Sequence, residues 1–254
     1  MRIAYLVSAL AITALALTPT LTAHAQENET KSRVVEMYGG FEQEEPEGWT
    51  PADGRVHLAL TKDQPRQGKQ AAEILVPQSK TGLYYSPGVK INPYWTWDCA
   101  KPASLRFSIN ARQRYLGYNL LATLTGKSET GEIYSFVFIV LQTGPHWTLC
   151  KSKEALWNPA PDFGKDISGF EAIAKLPRPL YCQFLPGLAN GEWNVVQKKW
   201  VDFDCSLDAA FATKNAPPRP KQIEFSELKI TGYIHNQTHY WLDAISLGEK
   251  EAAQ

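Results

Sequence analysis

The chain is 254 residues long, carries 26 basic and 26 acidic side chains for a formal net charge of zero, and is 44% hydrophobic. That balance argues against a polybasic nucleic-acid binder, which needs clustered positive charge, and against a disordered chain, which needs low hydrophobicity with high net charge; the glycine content argues against a collagen-like chain. A globular protein of one large all-β domain or two small domains remains.

Residues 1–25 read as a secretory signal. Arg2 supplies the basic start, an apolar run extends from Ile3 to Leu17, and Ala23-His24-Ala25 forms an A-x-A cleavage site before Gln26. The run is short for a membrane span, and Thr18, Pro19, Thr20 and Thr22 follow where a stop-transfer segment carries positive charge. The expected mature protein is secreted or periplasmic, with no stable membrane insertion after cleavage. Residues 26–33 are expected to be a flexible leader, and residues 34–250 a single β domain.

Strand patterning dominates the rest. In residues 104–112, Leu105, Phe107, Ile109 and Ala111 alternate with Arg106, Ser108, Asn110 and Arg112, the mark of a half-buried strand. In residues 133–141, Val137, Ile139 and Leu141 are matched on the opposite face by Tyr134, Phe136, Phe138 and Val140, which predicts a central strand covered on both sides. Further strands are expected at 34–38, 55–60, 71–76, 118–125, 180–185, 193–203, 223–233 and 239–247. The apolar phase shifts between Phe225 and Leu228, so a bulge is expected near Ser226 or Glu227. Helical periodicity is weak except over 166–175. About ten strands with hairpin-length connections predict an antiparallel β-sandwich or jelly roll. The rhythm breaks over 143–179, a long loop insertion of the kind that is usually functional or disordered.

Export makes the cysteines informative. Cys99, Cys150, Cys182 and Cys205 all lie in the mature chain, with no Cys-x-x-Cys spacing that suggests zinc or redox chemistry. The favoured arrangement is nested, Cys150 with Cys182 and Cys99 with Cys205, the alternative being buried thiols. A bridged inner loop contributes about 3–4 kcal/mol in the chain-entropy model.

Four motifs occur in order: Gly40-Phe41-Glu42 with Gly48-Trp49, then Gln67-Gly68-Lys69-Gln70-Ala71-Ala72, then Asn190-Gly191-Glu192-Trp193 running to Val201-Asp202-Phe203, and finally Tyr240-Trp241-Leu242-Asp243-Ala244-Ile245-Ser246-Leu247. The series resembles the galactose-binding-like jelly roll of bacterial carbohydrate-binding modules, from Phe41 to Leu247. The resemblance implies a structural calcium among Glu42, a carbonyl near Lys69, and Asp243, a set of hard oxygen donors suited to that ion. Ala244 stands where a second acidic residue is common. The competing reading is that Glu42 and Asp243 are carboxylates capped by backbone N–H groups.

Sugars present C–H faces that stack on aromatic rings and hydroxyls that suit planar polar side chains. The ligand-binding candidates are therefore Trp95, Trp97, Arg112, Arg114, Tyr115, Tyr118, Trp147 and Trp157, with packing of the long loop as the alternative; Trp49, Trp193 and Trp241 are expected in the core. A lyase requires a base and a group that neutralises a uronate, for which His146, Tyr240, Arg112 and Gln142 are the candidates, but no lyase signature occurs. The function expected is non-catalytic recognition of a poly- or oligosaccharide. The alternatives are a polysaccharide lyase or glycoside hydrolase on the same scaffold, and an envelope domain that binds another protein. No nucleic-acid partner is expected.

Overall fold

The structure, a computed structural model, describes residues 36–76, 85–112, 119–142, 155–158, 176–185, 200–233 and 238–249. All belong to one compact unit, 31–254. The expected signal and leader, and the 166–175 segment with helical periodicity, lie outside the described residues.

Period-two alternation becomes strand nearly everywhere. In chain order the elements are β1 (Glu36–Gly39), β2 (Thr50–Pro51), β3 (His57–Thr61), β4 (Ala71–Val76), β5 (Tyr85–Ile91), β6 (Trp95–Asp98), β7 (Ala103–Arg112), β8 (Asn119–Ser128), β9 (Ile133–Gln142), β10 (Leu156–Trp157), β11 (Leu180–Phe184), β12 (Val201–Ser206), α1 (Asp208–Phe211), β13 (Gln222–Tyr233) and β14 (Thr238–Glu249). They form two sheets. Sheet A runs β12-β7-β14-β4-β3, with β1 also paired to β14; sheet B runs β10-β11-β9-β8-β13-β5-β2, with β6 also paired to β13. The fold is an all-β sandwich of the jelly-roll kind. One pairing departs from the antiparallel pattern, since β11 lies parallel to β9. No described helix is long and apolar enough to cross a membrane.

The side-chain alternation fixes which faces meet. Leu105, Phe107, Ile109 and Ala111 of β7 point into the core with Tyr240, Leu242, Ile245 and Leu247 of β14. Tyr134, Phe136, Phe138 and Val140 of β9 enter the same core from sheet B. Ser135, Val137 and Ile139 on the other face of β9 are also buried, so this strand is central and covered on both sides. The expected bulge in β13 occurs between Phe225 and Glu227, where the register against β8 shifts. Strands β5 and β6 were not foreseen: Pro87 and Gly88 disguise the first as a turn, and the second is only four residues long.

The expected Cys99–Cys205 disulfide is corrected, while the expected Cys150–Cys182 pair involves a residue outside the described ones. Cys99, Cys182 and Cys205 are all buried, and no disulfide joins any of them to another. Cys99 and Cys205 pack as small apolar groups within the core cluster. Burial pushes the Cys99 thiol up to about 12, which keeps it protonated and unreactive. Cys150 lies outside the described residues.

Candidate functional site

Residues facing away from the core on sheet A form the most chemically varied surface described. In β12 these are Asp202 and Asp204; in β7, Arg106, Ser108 and Asn110; in β14, His239, Trp241, Asp243 and Ser246; in β4, Glu73 and Leu75. The strand register sets them in rows, with Asp204 beside Arg106 and Ser246, Asp202 beside Ser108 and Asp243, and Asn110 beside Trp241 and Glu73.

The connection between β3 and β4 folds over this surface, tied to it at three points and to Glu42, after β1, at a fourth. Gln64 Oε1 accepts from Asn110 Nδ2 at 2.9 Å. The Arg66 guanidinium reaches Asp202 in a two-pronged contact, Nε to Oδ1 at 3.0 Å and Nη2 to Oδ2 at 2.7 Å. The backbone N–H groups of Arg66 and Gln67 donate to Asp243 Oδ2 at 2.8 and 2.9 Å. Those of Lys69 and Gln70 donate to Glu42 Oε1 at 2.8 and 3.2 Å. Between this strap and β12 lies a shallow groove of about 350 Å³, lined in part by Arg66, Arg106, Ser108, Asp202, Asp204 and Ser246.

The electrostatics follow from these contacts. The Arg66 guanidinium, and then the Ser108 hydroxyl at 2.6 Å, hold the Asp202 carboxyl below the usual carboxylate range. Arg106 pairs with Asp204 at 3.3 Å. Asp243 behaves oppositely: burial pushes its carboxyl upward against the pull of N–H bonds from Gln67, Arg66 and Ala244, and the charge of Glu42 adds to the upward push. Ala244 adopts φ 52°, the pivot of a bulge that shifts the inward phase of β14 from Leu242 to Ile245.

Gly68 is required where the strap turns toward Glu42. It holds φ +60°, and a Cβ there would lie 2.2 Å from Glu42 Oε1. Gly68→Ala is therefore expected to combine left-handed strain with loss of the Glu42 bonds, lowering stability by about 2–3 kcal/mol. Chemical denaturation measures this directly.

Of the residues singled out from sequence, Glu42 and Asp243 both accept backbone N–H bonds from the strap, Lys69 donating its N–H to Glu42, which is the capped-carboxylate arrangement set against a calcium site. The aromatic platform is corrected. Trp95 and Trp97 share a face as expected, but that face is turned inward, and Trp157 is buried too, with all three at most 4% exposed. Trp95 stacks on Phe225 at 5.7 Å. Trp97 donates from Nε1 to the Lys101 carbonyl and carries the Arg219 guanidinium 5.5 Å above its ring. Trp157 donates to the Ala210 carbonyl at 2.7 Å, amid Tyr134, Phe136, Tyr181 and Phe211. Rings buried in a packed core, as these three are, present no face to a ligand.

Tyr240 is corrected as a prospective base, because it is fully buried on the core side of β14 and desolvation pushes its phenol upward. Trp241 is buried as expected, but outside the core cluster, on the outer face of sheet A. Backbone register sets Arg112 beside His239, and Asn119 beside Gln142. Arg114, Tyr115, Tyr118, His146, Trp147 and Trp193 lie outside the described residues.

No family model matches the sequence. No curated protein matches it either. Among solved structures, a xylan-binding carbohydrate-binding module of family 22 from Paenibacillus barcinonensis is similar over 87% of this chain and 97% of its own, at 13% identity and a TM-score of 0.42. The family 22 and catalytic modules of a Clostridium thermocellum xylanase, in complex with xylohexaose, are similar over 85% of this chain and 28% of their own, at 11% identity and a TM-score of 0.43. A carbohydrate-binding module of the β-sandwich superfamily is similar over 84% of this chain and 61% of its own, at 8% identity and a TM-score of 0.42. None of them assigns a residue of this chain to a site.

Proposed function

We propose that the chain binds a poly- or oligosaccharide without chemistry, through the outer face of sheet A. The observation that carries this reading is the groove beside the strap, where planar guanidinium and carboxylate groups alternate with hydroxyls along a shallow, open channel. Such groups pair with vicinal sugar hydroxyls in two-pronged contacts, and an open channel accommodates a chain. The groove's arginines are already matched by Asp202 and Asp204, which favours recognition of hydroxyls over capture of an anion. Incubation with a panel of polysaccharides, following retardation in affinity gels together with unsaturated products and reducing ends, tests the reading. Retardation without product is expected; product formation would establish an enzyme instead.

The same reading includes export by residues 1–25. Mass spectrometry of the secreted protein is expected to find Gln26 at the N-terminus.

A structural calcium at Glu42 and Asp243, which the motif resemblance implies, would have to share or displace backbone N–H groups, since Asp243 Oδ1 and Oδ2 and Glu42 Oε1 all accept N–H bonds. The two carboxylates are close enough that the charge of one raises the other's affinity for a proton, a repulsion that a hard cation relieves. Among the described residues no three acidic, histidine or cysteine side chains converge as a metal cluster, so carbonyls such as that near Lys69, together with water, would complete the ion's six to eight oxygens. The ion would tie β14, the strap and the Phe41-Glu42 segment together. At calcium about 100-fold above Kd the stabilisation is about 2.7 kcal/mol, a rise in Tm of about 5–10 °C that chelator should abolish. An unchanged melting temperature removes calcium from the account.

A further inference from the structure

We propose that the open half of the same face, beyond the strap, is a second sugar-contacting surface, with the His239 imidazole as its stacking ring and Glu73 as its hydroxyl acceptor. The proposal rests on the saccharide reading and extends it to residues outside the groove. His239 lies beside Leu75 of β4, and Leu75 beside His57 of β3; Trp241 lies beside Glu73, and Glu73 beside Ala59. These rows make a flat patch across three strands on which His57 is exposed and Leu75 and Ala59 are half-buried.

The imidazole is held from two directions. Its ring packs on Trp241 with centroids 4.2 Å apart and planes 39° apart, and its Nε2 lies 2.5 Å from Glu73 Oε1. The His239 and Glu73 side chains nevertheless remain 28% and 32% exposed. A ring fixed by packing and a hydrogen bond before a ligand arrives loses little rotamer freedom on binding, which is the condition for an effective stacking surface. One strand over from Trp241, Asn110 is buried, with its Nδ2 bonded to Gln64 and its carbonyl oxygen unpartnered among the described residues.

The charge of the patch selects the occupant. Among the described residues of β3, β4 and β14 that face outward beyond Asp243, the ionisable side chains are Glu73, His57 and His239. Glu73 and Arg112 of β7, which the register sets beside His239, balance formally, so the patch carries no net charge with which to capture a uronate or sulfate. The chemistry fits an uncharged pyranose, its C–H face on His239 and Leu75 and its hydroxyls on Glu73 and His57.

The test is affinity electrophoresis of the full chain in gels containing xylan, mixed-linkage β-glucan or galactomannan, with polygalacturonate and chitosan as the anionic and cationic arms. His239→Ala and Glu73→Gln are expected to weaken binding of the retained neutral polysaccharide about tenfold, the scale of one hydrogen bond to a charged group. His239→Phe, which keeps a ring over Trp241, is expected to recover part of that loss, and melting curves confirm that each variant is folded. Binding within twofold of wild type in both His239→Ala and Glu73→Gln overturns the second surface and leaves the groove standing. Preferential retention by polygalacturonate or chitosan overturns the uncharged class. Absence of wild-type retardation in every gel overturns the saccharide reading itself.

Discussion

Gly88→Ala is expected to destabilise the protein by about 3–5 kcal/mol, among the largest effects for removal of no interaction at all. A Cβ at this position would stand 1.6 Å from the carbonyl oxygen of Ile230, 2.7 Å from its carbonyl carbon and 3.0 Å from the Thr231 Cα. Every one of these atoms is backbone, so no rotamer change relieves the overlap. β5 must move away from β13, and it does so beside the irregularity between Ile230 and Gly232 where the ladder is already interrupted. β13 also carries β8 and β6, so the disturbance reaches the middle of sheet B. Gly54 is the natural control, because a Cβ there meets nothing within 4 Å. Gly54→Ala is expected to be neutral or stabilising by up to about 1 kcal/mol through the unfolded chain. Urea denaturation of the pair measures both, and similar midpoints would refute the backbone-contact account.

Phe136→Ala carries the second large effect, about 3–5 kcal/mol from lost transfer energy and the cavity left behind. Phe136 is wholly buried, and its ring lies 5.7 Å from Trp157, 6.1 Å from Tyr181, 6.3 Å from Phe211 and 6.0 Å from Phe225. Those four rings belong to β10, β11, α1 and β13, so one side chain serves as the common contact of elements far apart in sequence. With total stabilities usually about 5–15 kcal/mol, the variant loses a large share of its margin. A lower denaturation midpoint with an unchanged slope is the expected signature; a changed slope would indicate that the β10 and α1 contacts detach separately.

Strand faces were legible from the sequence because period-two alternation is set by backbone geometry alone, as in Leu105 to Arg112, and the β13 bulge was legible because it interrupts that period. The convergence of Glu42, Lys69 and Asp243 was readable only through a motif resemblance, since nothing local links residues brought together by tertiary structure. The direction of the aromatics was not readable. Alternation states that Trp95 and Trp97 share a face but not which side of the sheet that face joins, and a tryptophan's size favours either location. Trp241 is buried as its motif position implied, yet its neighbours Tyr240 and Leu242 fill the core, which leaves the intervening ring on the outer face. The state of Cys99 and Cys205 had no sequence signal, because an even count of cysteines reads alike for thiols and bridges.

The parallel alignment of β11 with β9 has a geometric corollary. Leu180 pairs with Ser135 and Phe184 with Ile139, so β11 starts near where β9 began rather than where it ended at Gln142. The chain leaving Gln142 must travel back roughly 20 Å along the sheet before β11 can start, at about 3.3 Å per residue. A tight turn of two to five residues joins only antiparallel neighbours. The long connection is thus a return path imposed by strand polarity, and shortening it to hairpin length would force β11 to reverse or to leave the sheet.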